Sequence, residues 1–368
     1  MRLFCTQRDL DYALNIVDKA INTNNTLPVL NNILIKAEGK KLYFSATNLE
    51  IAINCSIDAD VRGEGAITVP SKLITNYVAL LNDEKVELSM TEGVSLSLNS
   101  TSSSTKIKCI SADEFPLIPK VEKKQSFKVK NEEFINSIEE TVFAASLNTS
   151  RPVLSGVLLT GDDTCLKLVA TDSYRLAEKT VKISGKLNDE VNCIIPAKTM
   201  MELSKILGKS NSKETTVNIS NNQILFETDG VELISRLIEG KFPDYKKIIP
   251  KEGKTKIEVS VEDLSIVLKR VNLFARENNN SVKLSFTNDG KLIIASDETK
   301  VGEEKAEVLI KINGENNKIA LNVQYLLDVL TYINSDRVKI TVNDKTSPAV
   351  IKPLNSEDYI YIIMPLKI

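Results

Sequence analysis

Ala46-Thr47-Asn48, Ala170-Thr171-Asp172 and Ala295-Ser296-Asp297 are one short mark written three times along the chain, 124 and 125 residues apart. Two further marks keep the same order. Val69-Pro70, Ile195-Pro196 and Leu321-Asn322 recur at 126 and again 126 residues, and Phe115-Pro116, Phe242-Pro243 and Met364-Pro365 stand near the end of each copy. Self-similarity at a fixed period signals a repeat architecture, each copy one structural unit. The 368 residues therefore divide into three tandem repeats, with domain boundaries expected at 1–122, 123–252 and 253–368. Each repeat is long enough to bury its own core. A tandem array makes a curved, extended object, suited to enclosing or holding a partner.

Every copy opens on a short alternating strand: Leu3-Phe4-Cys5-Thr6, Phe127-Lys128-Val129-Lys130 and Ile257-Glu258-Val259-Ser260. A helix start follows each, marked by Thr6 with Asp9, Asn131 ahead of Glu132 and Glu133, and Ser260 with Asp263. Apolar residues then fall at helical spacing: Leu10, Leu14, Val17 and Ile21; Phe134, Ile138 and Val142; Leu264, Leu268 and Val271. After three strand-like runs the pattern starts again, with second helices expected at 71–81, 197–207 and 323–333. Each repeat thus reads strand, helix, three strands, twice over. The fold class is α+β, with antiparallel sheets covered on one face by helices. Charged, apolar-poor stretches at 121–126 and 250–255 are the expected linkers.

Composition narrows the chemistry. A net charge of −2, 42% hydrophobic and 26% charged residues describe a soluble globular chain without a global basic signature. The N-terminus lacks a signal-peptide core and no apolar run reaches membrane-spanning length, so a cytoplasmic protein without a membrane partner is expected. Five widely spaced cysteines, Cys5, Cys55, Cys109, Cys165 and Cys193, read as reduced core thiols. Histidine is absent, which removes Ser-His-Asp and Cys-His catalysis and the commonest zinc ligand. Gly208-Lys209-Ser210 ends like a phosphate-binding loop, but Leu203 stands where its first glycine belongs, and a glycine that stops a helix is the better account. The pairs Glu132-Glu133, Glu139-Glu140 and Glu303-Glu304 are adjacent and do not face each other on a helix. No catalytic residue, metal or cofactor is expected.

Five segments together carry a family resemblance: Thr26-Leu27-Pro28-Val29-Leu30, Ala170-Thr171-Asp172-Ser173-Tyr174-Arg175-Leu176, Gly240-Lys241-Phe242-Pro243-Asp244-Tyr245, Asn322-Val323-Gln324-Tyr325-Leu326-Leu327-Asp328-Val329-Leu330 and Tyr361-Ile362-Ile363-Met364-Pro365-Leu366. The chain resembles, over its whole length, the bacterial sliding clamps, the beta subunits of DNA polymerase III. The resemblance implies the DNA-clamp fold, with antiparallel sheets outside and helices inside. It implies a head-to-tail homodimer whose six domains close a ring around duplex DNA. Such a ring is a non-catalytic accessory subunit that tethers polymerases to the template. The implied partners are double-stranded DNA held without reading sequence, the DNA polymerase III alpha subunit, the clamp loader complex, and other polymerases and repair proteins that carry short linear peptide motifs.

The resemblance also implies sites. A peptide groove maps onto Leu154, Thr171, Tyr174, Arg175, Leu176, Pro243, Ile248, Asn322, Tyr325, Ile362, Met364, Pro365 and Leu366. Its aliphatic members suit a dry pocket for apolar anchors, Arg175 and Asn322 suit a peptide backbone, and Met364 suits a mouth that adapts to several ligands. Ile363 is expected to point into the core. Lys72, Lys198, Lys205, Lys209, Lys269, Arg270 and Arg276 are the expected DNA-facing cations, although the six helix segments sum to −1. Leu273 and Phe274 are expected at the dimer interface. This chain departs from the family pattern at Ser173, where glycine is usual, at Asn24 and Asn25, where some members have arginine, and at its Leu366-Lys367-Ile368 terminus. The competing reading is a three-repeat scaffold that binds peptides without encircling DNA.

Overall fold

The computed structural model describes residues 1–22, 27–82, 85–91, 93–148, 150–187, 189–250, 252–300 and 302–367. Asn24, Asn25 and Ile368 lie outside these residues. Six α-helices occur among the described residues: α1 (Gln7–Val17), α2 (Ser71–Ala79), α3 (Asn131–Val142), α4 (Ala197–Leu207), α5 (Val261–Ala275) and α6 (Val323–Tyr332). Strand, helix, three strands recurs twice in every repeat, with short additional strands at Asp60–Gly63 and Lys311–Gly314.

Local chemistry sets the helix ends. Thr6 Oγ1 accepts from the Asp9 N–H at 3.1 Å and donates to Asp9 Oδ2 at 2.7 Å, which starts α1. Ser260 accepts from the Asp263 N–H at 3.3 Å to start α5. Asn322 Oδ1 accepts from the N–H groups of Gln324 and Tyr325 to start α6. Helix α4 stops at Leu207, and the Gly208 N–H closes back on Ser204 O at 2.9 Å. Each helix buries one apolar stripe, such as Leu10, Leu14 and Val17 on α1 or Leu264, Leu268 and Val271 on α5.

The chain forms two compact units, and the division runs through the central repeat. The first comprises Met1–Glu132, Ser184–Leu187 and Glu202–Leu237; the second comprises Glu133–Ile183, Asn188–Met201 and Ile238–Ile368. In the first unit a five-stranded sheet runs Asp60–Gly63, Arg2–Thr6, Lys85–Thr91, Ser95–Asn99, Ser104–Lys108. Its eight-stranded sheet runs Gln125–Lys130, Glu214–Ile219, Gln223–Thr228, Val231–Arg236, Ile51–Asp58, Lys41–Thr47, Asn32–Glu38, Gly65–Pro70. Strands of two repeats meet in this sheet, with Val231 opposite Cys55 and Leu233 opposite Ile53.

The second unit repeats the device. Its nine-stranded sheet runs Val191–Pro196, Gly156–Asp162, Cys165–Thr171, Arg175–Lys182, Tyr359–Ile363, Ala349–Pro353, Arg337–Val342, Thr255–Ser260, Lys311–Gly314. Here the repeats meet with Arg175 opposite Ile363 and Ala177 opposite Tyr361. A four-stranded sheet runs Lys305–Leu309, Lys291–Ser296, Ser281–Thr287, Asn317–Asn322.

Two expectations need adjusting. The strands begin at Gln125 and Thr255, so the expected linkers lose their last residues to the sheets. Only Cys5 and Cys55 are buried; Cys109, Cys165 and Cys193 are partly exposed, and all five are free thiols. No helix of the described residues is long and apolar enough to cross a membrane.

Candidate functional site

The central mark, Ala170-Thr171-Asp172, is a turn held by its own side chains. Thr171 Oγ1 donates to Arg175 O at 2.6 Å and accepts from the Ser173 N–H at 3.1 Å. Asp172 Oδ1 accepts from the N–H groups of Tyr174 and Arg175, both at 2.9 Å. The geometry requires a left-handed residue in the middle, and Ser173 supplies it at φ 82°. The first repeat builds the same turn. Thr47 Oγ1 donates to Ile51 O, Asn48 Oδ1 accepts from Glu50 and Ile51, and Leu49 takes φ 74°. The third copy differs: Ser296 and Glu304 bond each other across a longer loop, and Asp297 pairs with Lys283.

The turn aims Arg175 into a box of rings and carboxylates. Its Nε donates to Asp172 Oδ2 at 3.0 Å and its Nη1 to Asp328 Oδ2. The guanidinium lies 4.5 Å from the Tyr325 ring centroid and 5.6 Å from that of Phe143. Burial works against its charge, but Tyr361, Asp328 and Asp172 outweigh that and raise its pKa. Burial, then Asp172, also raises the Tyr325 phenol. Tyr361 donates its hydroxyl proton to Tyr325 O at 3.1 Å, and Phe143 stacks on Tyr332 at 4.9 Å. Sequence reading missed Phe143, Asp328 and Tyr361. Asp328 lies 153 residues from Arg175, and no local spacing announces such a pair.

All thirteen expected groove residues lie in the second unit. Four of them form floor rather than wall. Leu154, Thr171, Leu176 and Ile362 are buried, and the last two pack with Leu158, Val169, Phe242 and Tyr245. Tyr174, Pro243 and Ile248 are exposed, while Asn322, Tyr325, Met364, Pro365 and Leu366 are half-buried. The terminal segment is tied in by its backbone: Met364 N–H donates to Tyr174 O at 2.8 Å and Leu366 N–H to Ala320 O at 2.9 Å. Ile363 is buried, as the alternation required. The polar roles shift from expectation. Arg175 spends Nε and Nη1 inside the chain, and Asn322 spends its carbonyl oxygen capping α6. Both position neighbouring groups, above all Tyr325.

The seven expected DNA-facing cations are all exposed. Lys72, Lys205 and Lys209 lie in the first unit; Lys198, Lys269, Arg270 and Arg276 lie in the second. Lys205 pairs with Glu202 at 2.9 Å, and Arg270 lies 3.7 Å from Glu304. Sequence reading missed Lys19. Its burial lowers its pKa and, against Glu202, the neighbouring Lys209 and Lys205 lower it further. These lysines therefore share one patch of the first unit, brought together from distant segments. Leu273 is 61% exposed, whereas Phe274 is half-buried. Among the described residues no group of three or more His, Cys, Asp or Glu side chains is placed to hold a metal.

Comparison with known proteins completes the picture. The sequence matches the DNA polymerase III beta subunit family in three stretches: the N-terminal domain over residues 1–119, the central domain over 128–244 and the C-terminal domain over 246–367. It is 30% identical to the beta sliding clamp of Chlamydia pneumoniae over 100% of this chain and 99% of that one. It is 31% identical to that of Synechococcus elongatus over the full length of both. The fold superposes on the beta subunit of Thermotoga maritima with a TM-score of 0.94 at 31% identity, covering 100% of this chain and 99% of that one. A Pseudomonas aeruginosa sliding clamp bound to griselimycin matches at a TM-score of 0.95 and 28% identity, with full coverage of both chains. The chain belongs to the DNA polymerase III beta subunit family, the bacterial sliding clamps, and has their three-domain fold.

Proposed function

We propose that two copies of this chain join head to tail into a ring that encircles duplex DNA and tethers polymerases to it. The carrying observation is a pairing rule. Ile51–Asp58 ends the three-strand run after α1 and pairs with Val231–Arg236, which ends the run after α4. Arg175–Lys182 ends the run after α3 and pairs with Tyr359–Ile363, which ends the run after α6. The rule leaves two strands over: Lys305–Leu309 after α5 and Ser104–Lys108 after α2. Both are edge strands of their sheets. A heterologous contact that obeys the same rule joins one chain's Lys305–Leu309 to the partner's Ser104–Lys108, and doing so twice closes the assembly.

The side chains beside these edges support the pairing. Ile266 and Leu273 are exposed on α5, and Leu73 on α2 with Leu80 just past its end, each pair seven residues apart and so on one side of its helix. Exposed Lys106 and Lys108 complement exposed Glu303 and Glu307. The domains of such a ring would divide at 1–122, 123–252 and 253–368, close to the gaps between the three family matches. The ring itself performs no chemistry. Its basic side chains, Lys72, Lys198, Lys205, Lys209, Lys269, Arg270 and Arg276, would meet phosphates loosely, which suits sliding.

The groove of the second unit would take short linear peptides from the DNA polymerase III alpha subunit, the clamp loader and repair proteins. Support comes from its apolar floor and from the adaptable Met364 at its mouth. Sedimentation equilibrium at micromolar concentration tests the assembly. A mass near twice 40.8 kDa is expected; a monomer would overturn the ring.

A further inference from the structure

The turn that builds the groove of the second unit builds a counterpart in the first. Thr47 stands where Thr171 does, Ala52 where Leu176 does, Pro116 where Pro243 does and Ile234 where Ile362 does. The registers agree, since Ile234 lies opposite Ala52 as Ile362 lies opposite Leu176. The anchoring bond recurs as well. Arg236 N–H donates to Glu50 O at 3.0 Å, as Met364 N–H donates to Tyr174 O at 2.8 Å. Even the short helix ahead of the first strand is repeated, at Pro28–Asn31 and Pro152–Leu154.

This counterpart holds real space. Thr47, Leu49, Ile51, Ile118, Ile234 and Arg236 line a cleft of about 90 Å³, room for one aliphatic side chain. An apolar cluster of Ala52, Leu225, Ile234 and Val121 lies beneath it. Leu117, 98% exposed, and Leu49, 49% exposed, stand on its rim. The chemistry differs at one point. In the second unit the cation is Arg175, locked between Asp172 and Asp328. Here Ile51 takes that place, and the cation is Arg236, exposed and without an ion pair among the described residues. An unpaired guanidinium beside an empty aliphatic cleft matches a carboxylate next to an aliphatic anchor. Glu50, exposed in the turn just before Ile51–Asp58, weakens that match without cancelling it.

We propose that the first unit carries a second, weaker docking groove for an extended peptide with one leucine-sized anchor and an adjoining acidic residue. The inference rests on the reading of the second unit's groove as a peptide site. The test is calorimetric titration of the full-length protein with the capped peptide acetyl-Ala-Leu-Asp-Leu-Ala-amide. Two sites per chain are expected. Arg236→Glu and, separately, Leu117→Ser should weaken one of them tenfold or more; both residues are exposed, so folding is retained. Glu50→Gln should tighten that same site severalfold. Met364→Lys should remove the other site and leave this one. A single site, lost in Met364→Lys and untouched by Arg236→Glu, would overturn the proposal, as would no binding at millimolar peptide. Binding lost in Arg236→Glu but intact in Met364→Lys would uphold this groove and sink the other.

Discussion

Ser173 shows how one residue bears on the reading of the whole turn. Its position calls for glycine, because the side-chain bonds of Thr171 and Asp172 close only around a left-handed residue. A non-glycine residue pays about 1–2 kcal/mol there, while glycine loses about 0.5–1 kcal/mol of chain entropy on folding. Ser173→Gly should therefore stabilise the second unit by up to about 1 kcal/mol, read as a higher urea midpoint. Asp172→Ala should act the other way. It strands two backbone donors and takes one of two carboxylates from a nearly buried Arg175, a loss of about 3 kcal/mol; an unchanged urea midpoint would refute the account of the turn. The buried thiols give a pH test. Burial, helped by Asp9, raises Cys5 to about 12, and burial, partly offset by a bond from the Ser56 backbone, raises Cys55 to about 12. Both stay protonated at pH 8 and should resist alkylation until the chain unfolds. The unfolded chain releases those protons near pH 9, so the stability they contribute is full below that value and falls as pH climbs toward 12. Rapid labelling of Cys5 or Cys55 at pH 8 would count against their burial.

At the scale of elements, much was legible and the reasons are specific. Helices α1 and α5 announced themselves through Thr6 with Asp9 and Ser260 with Asp263, pairs that the structure uses as caps. The helix expected at 197–207 is found at Ala197–Leu207, because apolar spacing and the stop at Gly208 act locally. What could not be read was partnership between distant segments. Nothing in Val231–Arg236 says that it lies against Ile51–Asp58, since the alternation along a strand marks its buried face and not its neighbour. For the same reason the sequence could not separate groove floor from groove wall at Leu176 and Ile362, whose burial depends on Phe242 and Tyr245 far away in sequence. The remaining edges give a prediction. If Ser104–Lys108 joins Lys305–Leu309 of a second copy, Lys106→Glu with Lys108→Glu should dissociate the dimer. Exposed pairs contribute about 0.2–1 kcal/mol each, but a reversal turns attraction into repulsion at both interfaces of a ring. Adding Glu303→Lys with Glu307→Lys should restore the dimer in sedimentation velocity; failure of that rescue would refute the strand pairing.

At the scale of the molecule, function depends on closure more than on affinity. With a net charge of −2, the chain has no field that would hold DNA by attraction alone. Its basic patch around Lys19, Lys205 and Lys209 is local and partly offset by Glu202. Each phosphate neutralised contributes a slope of about −0.9 in the logarithm of affinity against that of salt. A ring that holds by topology escapes this dependence, whereas a scaffold that binds DNA from one side cannot. Once assembled around nicked circular DNA, the protein should stay bound through a salt rise that strips any phosphate-held protein, and should leave when the circle is cut. Lys205→Glu with Lys209→Glu should lower the yield of assembly while leaving retention on the closed circle unchanged, because contact helps capture and topology prevents escape. If the double variant instead shortened the lifetime on closed circles at moderate salt, phosphate contact and not closure would be what holds the protein to DNA.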